Sequence, residues 1–253
     1  MKEARFYVLC KLILGSVLWC LGSPALAQQY EIGLGLGGAT YTGDIIRRID
    51  PTQVGIQGTL FGRRNFDNAW SLRAGISVGR INGADHKSPI DTMAMARNAY
   101  FRGTLIEAAA VMEFHFLDYL SHTSPTRYSP YGFMGLGYTM FAGGGQAYDG
   151  DPDSGSYALG TAIVPFGLGV KYKLKERLFL SMEFGFRPTL TDRLDKIADD
   201  GEILPRFETD PDTGDRALNP HAFNFGNRFD KDWYYFFGVN LSYSFHRVPC
   251  YSY

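Results

Sequence analysis

Only three cysteines occur in the 253 residues, and two of them, Cys10 and Cys20, lie within the first twenty. A disulfide framework and a Cys-based zinc site are therefore excluded for the body of the chain. Beyond the N-terminal segment no apolar run approaches the ~20 residues that a spanning helix requires. The chain also has no Ser- or Pro-rich linker, no second composition zone and no low-complexity tract. It contains no G-x-S-x-G elbow and no Gly-rich loop set between a strand and a helix. Basic and acidic residues nearly balance, at 25 and 26. Such a balance argues against nucleic acid as a partner.

Lys2, Arg5 and Lys11 flank and punctuate an apolar stretch that runs to Leu21 and ends in Ala25-Leu26-Ala27. This pattern predicts a cleaved export signal over 1–27, with Gln28 as the mature start. Bulky Trp19 before Cys20 argues against a lipoprotein signal. Cleavage removes three of the basic residues and one acidic residue, leaving 226 residues with three more acidic than basic groups. Residues 28–253 are long enough for one domain.

Eight stretches of that domain carry an apolar residue at every second position. In the eighth, Trp233, Tyr235, Phe237, Val239, Leu241, Tyr243 and Phe245 alternate with Tyr234, Phe236, Gly238, Asn240, Ser242, Ser244 and His246. Successive side chains of a strand point to opposite faces, so each stretch has one greasy and one mostly polar face. The strands are predicted at about 30–40, 53–64, 70–81, 104–117, 130–142, 161–174, 177–188 and 233–246. The fifth is apolar on both sides, which leaves its facing open. The links after strands one, three, five and seven (41–52, 82–103, 143–160 and 189–232) are long. Those after two, four and six (65–69, 118–129 and 175–176) are short, the alternation of an outer-membrane barrel.

A soluble eight-stranded lipocalin-like or sandwich domain would turn the same apolar faces inward, and alternation alone does not separate the two. Tyr30, Trp70, Tyr172 and Trp233 stand at strand ends, where membrane-interface girdles belong. The reading is all-β: an eight-stranded antiparallel transmembrane outer-membrane barrel with four long external loops, a short C-terminal tail and both termini in the periplasm. Eight strands leave an interior wide enough only for side chains. Glu31, Arg73, Glu107, Glu113, Lys171, Glu183 and Arg187 are then a mutually paired polar filling, which argues against a pore.

His115 beside Glu113 and Glu107 has the composition of an acid/base or metal cluster, yet residues two apart on a lumen face are more often a satisfied hydrogen-bond network. Asp149, Asp151 and Asp153 imitate a calcium loop, but the sixth-position Gly is missing and Gly160 stands at position twelve. Asp210-Pro211-Asp212-Thr213-Gly214-Asp215 reads as turn chemistry, with opportunistic calcium binding left open. No catalytic residue, cofactor site or metal site is assigned, and the chain is read as non-enzymatic.

Four segments carry a resemblance: Thr40-Tyr41-Thr42-Gly43-Asp44; Arg97-Asn98 with Phe101; Glu107 through Glu113-Phe114-His115-Phe116, ending near Tyr119; and Ser129-Pro130-Tyr131-Gly132-Phe133-Met134-Gly135-Leu136-Gly137. In order and spacing they resemble the PorG-type outer-membrane barrels of the Bacteroidota type IX secretion system, over about residues 30–141. His115 departs from the Asn expected between the two phenylalanines. The resemblance implies a barrel that anchors the periplasmic ring of the PorK lipoprotein and PorN to the outer membrane and supports cargo export. Two other roles stay open, a stand-alone barrel acting through its surface loops in adhesion or protection, and a lipid-modifying enzyme, for which no convincing Ser/His pair is present. Cys250, the one thiol left after signal cleavage, follows Pro249 just beyond strand eight. Pro249 ends the ladder, and a single exported thiol points to an intermolecular disulfide or a reactive group. With the resemblance, the ring lipoprotein is its expected partner.

Overall fold

The computed structural model describes residues 29–43, 45, 50–87, 98–120, 124–146, 155–191, 194, 207–209, 216–218 and 232–245. The signal segment 1–27, Asp44, Arg97, the aspartates 149, 151 and 153, the 210–215 stretch, His246 and Cys250 lie outside these residues. The strands are β1 (Gln29–Thr42), β2 (Gly55–Asn65), β3 (Trp70–Ala84), β4 (Tyr100–His115), β5 (Tyr128–Gln146), β6 (Gly155–Ile163), β7 (Phe166–Lys175) and β8 (Leu178–Pro188). A small ribbon of β9 (Phe207–Thr209) and β10 (Arg216–Leu218) precedes the last strand, β11 (Trp233–Ser244).

Antiparallel neighbours run in sequence order from β1 to β5 and on through β7, β8 and β11. The β1–β11 pairing then closes the ring. The wall has eight staves because β6 and β7 are one stave in two pieces: the upper part of β5 pairs with β6 and the lower part with β7. The predicted sixth strand, about 161–174, is therefore corrected to two segments interrupted at Val164–Pro165. Pro165 has no N–H to give the ladder, although its carbonyl still accepts from Gly135 at 2.9 Å.

The predicted second strand began too early. Asp50 caps a 3-10 turn at Pro51–Gln53, its carboxylate accepting from the Thr52 amide at 2.9 Å, with Pro51 in the first turn. Cap and proline together make this a turn. Strands three, four and five run further than expected at the long-loop end, so the links there shrink to 85–99 and 147–154. Alternation fades where the faces no longer separate lipid from lumen, and the period stops marking the strand.

The apolar face points outward on every stave. Leu36 and Ile56 are 76% and 77% exposed, while Glu31, Glu113 and Lys171 opposite them are buried. A wall this greasy requires a bilayer around it, which decides against the soluble alternative. The facing of β5 is settled too: Tyr131, Phe133 and Phe141 point in, and Met134, Leu136, Tyr138 and Met140 point out. Tyr30, Trp70, Phe114, Tyr128, Tyr172 and Tyr243 ring the end with the short turns, with Trp70 and Phe114 in contact at 4.9 Å. Trp233 lies at the opposite end, edge-on to Phe166 at 6.2 Å. Both described chain ends meet at the short-turn end, where the Phe245 amide donates to the Tyr30 carbonyl at 3.0 Å.

Leu180 and Leu241 are direct cross-strand partners on the outer face. Replacing either by Arg is expected to cost about 2–4 kcal/mol near the bilayer midplane, measured by denaturant unfolding in lipid vesicles. Unchanged stability in both variants would contradict the outward facing.

Candidate functional site

The site that the fold builds is the barrel interior. An inward Gly on one stave leaves room for a large side chain on the next. A Cβ on Gly33 would lie 2.3 Å from the Phe61 ring, and one on Gly169 would lie 2.6 Å from the Tyr131 ring. The lumen is thus filled by alternating small and large residues.

Toward the short-turn end, charges of alternating sign form a chain. Lys171 Nζ donates to both carboxylate oxygens of Glu31 at 2.9 Å, and Arg63 Nη1 donates to Glu31 Oε2 at 2.8 Å. Asn65 and Ser242 give Glu31 two further hydrogen bonds, at 2.8 and 2.9 Å. Arg63 next meets Glu113, donating from Nη2 at 3.1 Å, with a charge contact of 2.7 Å between Nε and Oε2 that falls short of hydrogen-bond alignment. Arg73 spans Glu113 at 2.8 Å and Glu183 at 2.6 Å, and the Tyr131 hydroxyl donates to Glu183. Each carboxylate therefore sits against at least one cation, the condition under which buried ions are tolerated.

Tyr119 closes this end from the link between β4 and β5. Its hydroxyl accepts from Lys171 at 2.9 Å, and the ammonium lies over the Tyr119 and Phe179 rings at 4.9 and 4.7 Å. Burial pushes the Tyr119 phenol well above the usual tyrosine range, so it stays neutral.

A second charge pair lies further up. Arg187 Nε donates to Glu107 at 3.2 Å, Tyr234 donates to the same carboxylate at 2.7 Å, and the guanidinium covers Phe236 at 4.5 Å. Between the two groups is a polar cavity of about 50 Å³, lined by Thr59, Ser77, Glu107, Glu183, Arg187 and Asn240. It has room for a few waters and little else. Above it the chain builds a dry core from Tyr41, Ile81, Phe101, Leu105, Phe141 and Phe236. The Tyr41 hydroxyl donates to Asp232, whose other carboxylate oxygen accepts the Leu194 amide at 2.7 Å.

All seven predicted filling residues point inward and are mutually paired. His115 is not brought together with Glu107, which belongs to the upper pair. It lies 3.6 Å from Glu113 between the Tyr119 and Tyr131 rings, at 4.8 and 5.0 Å. Neither ring nitrogen has a hydrogen-bond partner among the described residues. The expected hydrogen-bond network at His115 is thus corrected to ring packing. Among the described residues, no three His, Cys, Asp or Glu side chains gather as a metal site. Sequence reading missed Arg63 and Tyr119. Arg63 follows Gln57, Thr59 and Phe61 on the inner face of β2, a signal that was there to use; Tyr119 lies in a link, where no period marks facing.

A protein-family model described as a domain of unknown function, DUF6089, matches residues 10–253. The chain belongs to this family. No curated protein matches it. Among solved structures, the DUF6089 chain is similar to the attachment invasion locus protein Ail of Yersinia pestis in complex with the heparin analogue sucrose octasulfate. The identity is 11% and the TM-score 0.41, over 85% of this chain and 99% of that one. It is similar to Neisserial surface protein A at 9% identity and TM-score 0.47, over 85% and 97% of the two chains. It is also similar to OprG of Pseudomonas aeruginosa at 12% identity and TM-score 0.42, over 86% and 96%.

Glu113 lies between two buried guanidinium groups, so removing its charge strands both. Glu113→Gln is expected to destabilise the folded barrel by about 3–5 kcal/mol, read from urea unfolding in detergent. A shift under about 1 kcal/mol would mean that the chain of charges contributes no more than an exposed ion pair.

Proposed function

We propose that this DUF6089 barrel is the outer-membrane component of a type IX protein secretion system, anchoring the periplasmic PorK/PorN ring to the membrane and supporting cargo export. The observation that carries the reading is the set of four PorG-like segments, because their residues build the lumen and its two closures. Tyr41 and Gly43 form the upper closure, where a Cβ on Gly43 would collide with Tyr41 and Asp232. Asn98 has φ 53°, a left-handed conformation that Asn tolerates, and its carbonyl accepts from Gln146 at 3.0 Å. Glu113, His115, Tyr131 and Phe133 belong to the lower filling.

A lumen sealed by paired charges and a dry core suits an anchor and not a solute channel. The barrel is taken to act without catalysis, through its periplasmic end, with both termini on that side. Cys250 extends from that end in this reading and forms a disulfide with the ring lipoprotein.

Deletion of the gene is expected to abolish cargo export while leaving the permeability barrier to small solutes intact. Planar-bilayer recording of the pure protein should accordingly give no stable conductance, and a large steady conductance would count against the anchoring role. Non-reducing gels of whole membranes should show a reducible heterodimer that disappears in Cys250→Ser. Identical band patterns with and without reductant would remove the bridge while leaving the export result to decide the rest.

A further inference from the structure

The wall is apolar outside until the long-loop end, where two arginines interrupt it. Arg80 on β3 and Arg102 on β4 are exposed and alternate with buried Ile81 and Phe101. Their guanidinium groups therefore leave from the lipid face of the barrel. Their register is diagonal, because Arg80 stands opposite Thr104 and Asn82 opposite Arg102. Diagonal neighbours on one face lie roughly 7 Å apart, close enough for two long side chains to converge on one group. No partner acid reaches either guanidinium among the described residues.

Their depth can be read from the strands. Trp70 and Phe114 face each other in the girdle at the other end, and Arg80 and Arg102 stand ten and twelve residues further along the same two strands. At about 3.3 Å per residue and a tilt of about 40°, that is roughly 25 to 30 Å along the membrane normal. One apolar band is about 25 Å tall. The two cations thus emerge at the headgroup level of the leaflet that the long-loop end occupies.

We propose that Arg80 and Arg102 form a lipid-headgroup site that holds the phosphate of a lipid in that leaflet. The occupant follows from the chemistry: guanidinium forks match phosphate oxygens, and a lipid phosphate is the anion held at this depth beside an apolar wall. Outward Ile76, Val78 and Ile106 continue below the pair and supply the surface along which acyl chains of the same lipid lie. The site rests on the barrel's membrane-spanning wall and not on its role in secretion.

The test uses the purified full chain in neutral detergent micelles carrying either phosphatidic acid or phosphatidylcholine, with retained lipid counted by native mass spectrometry. The wild type is expected to retain phosphatidic acid in preference to phosphatidylcholine. Arg80→Gln with Arg102→Gln should lower that retention by roughly tenfold or more, the scale set by two basic groups at a charged membrane surface. Heat-modifiable gel migration checks that the variant is folded, which the outward position of both side chains favours. Arg64→Gln, which removes a cation over the Tyr30 and Phe66 rings at the other end, should leave retention unchanged. Equal retention in the double variant, an equal loss in Arg64→Gln, or displacement of the lipid by millimolar inorganic phosphate would overturn the proposal.

Discussion

The alternating chain of ions from Lys171 through Glu31, Arg63, Glu113 and Arg73 to Glu183 is the constraint on which the rest of the barrel depends. With Tyr131 and Ser242 attached to it, every one of the eight staves contributes a side chain. Buried ions cost several kcal/mol each to desolvate, and their mutual attraction compensates only when the geometry is good. Here each carboxylate meets a cation on a different stave, so good geometry exists only when the staves are in register. The bilayer accounts for the outside of the wall, and the ions account for which strand lies beside which.

The two ends of the lumen are closed by different chemistry. Ions, hydrogen bonds and the Tyr119 ring close the end with short turns. Tyr41, Phe101, Phe141 and their neighbours close the other end as a soluble core would, with Asp232 and the Leu194 amide at its margin. Between them lies a cavity of about 50 Å³, space for a few waters. In an interior of this kind the polar groups hold one another, and the two closures divide the lumen into an ionic lower part and an apolar upper part.

Much of the barrel was legible because a period of two reports facing whenever lipid lies on one side and ions on the other. Strands three, four, seven and eight obeyed that rule, and their inward and outward residues are as read. The rule faltered at three places. Pro165 breaks a stave whose period continues across it, so Ala162 and Phe166 look like one strand. At Gln53 and Val54 the 3-10 turn begun in the predicted link runs straight into the apolar face of β2, so the strand starts two residues later than its period suggests. Beyond the bilayer, as at Gly143 to Gln146, the strand continues without alternation because its two sides no longer differ. Within the lumen, composition identifies the charged groups, but Arg63 is hard to place from sequence because Arg64 follows it and only the outward Val54, Ile56 and Leu60 mark the facing of β2. Pairing among the charges needed three dimensions: Glu107 and Glu113 lie on one strand face, yet they serve separate groups.

The seam between β1 and β11 is where the first and last strands must find each other. Glu31 stands opposite Ser244 there, and its carboxylate binds Ser242 as well as Lys171 and Arg63. Because the side-chain period is two, a slip of one residue would carry Glu31 from the lumen to the outer wall beside the girdle aromatics and bring Ile32 inside. Closure is thus selected by charge: a misregistered cylinder would turn a carboxylate outward, leave the buried Lys171 ammonium without its anion and leave Arg63 with Glu113 alone, so the register in which Glu31 faces the lumen is the stable one.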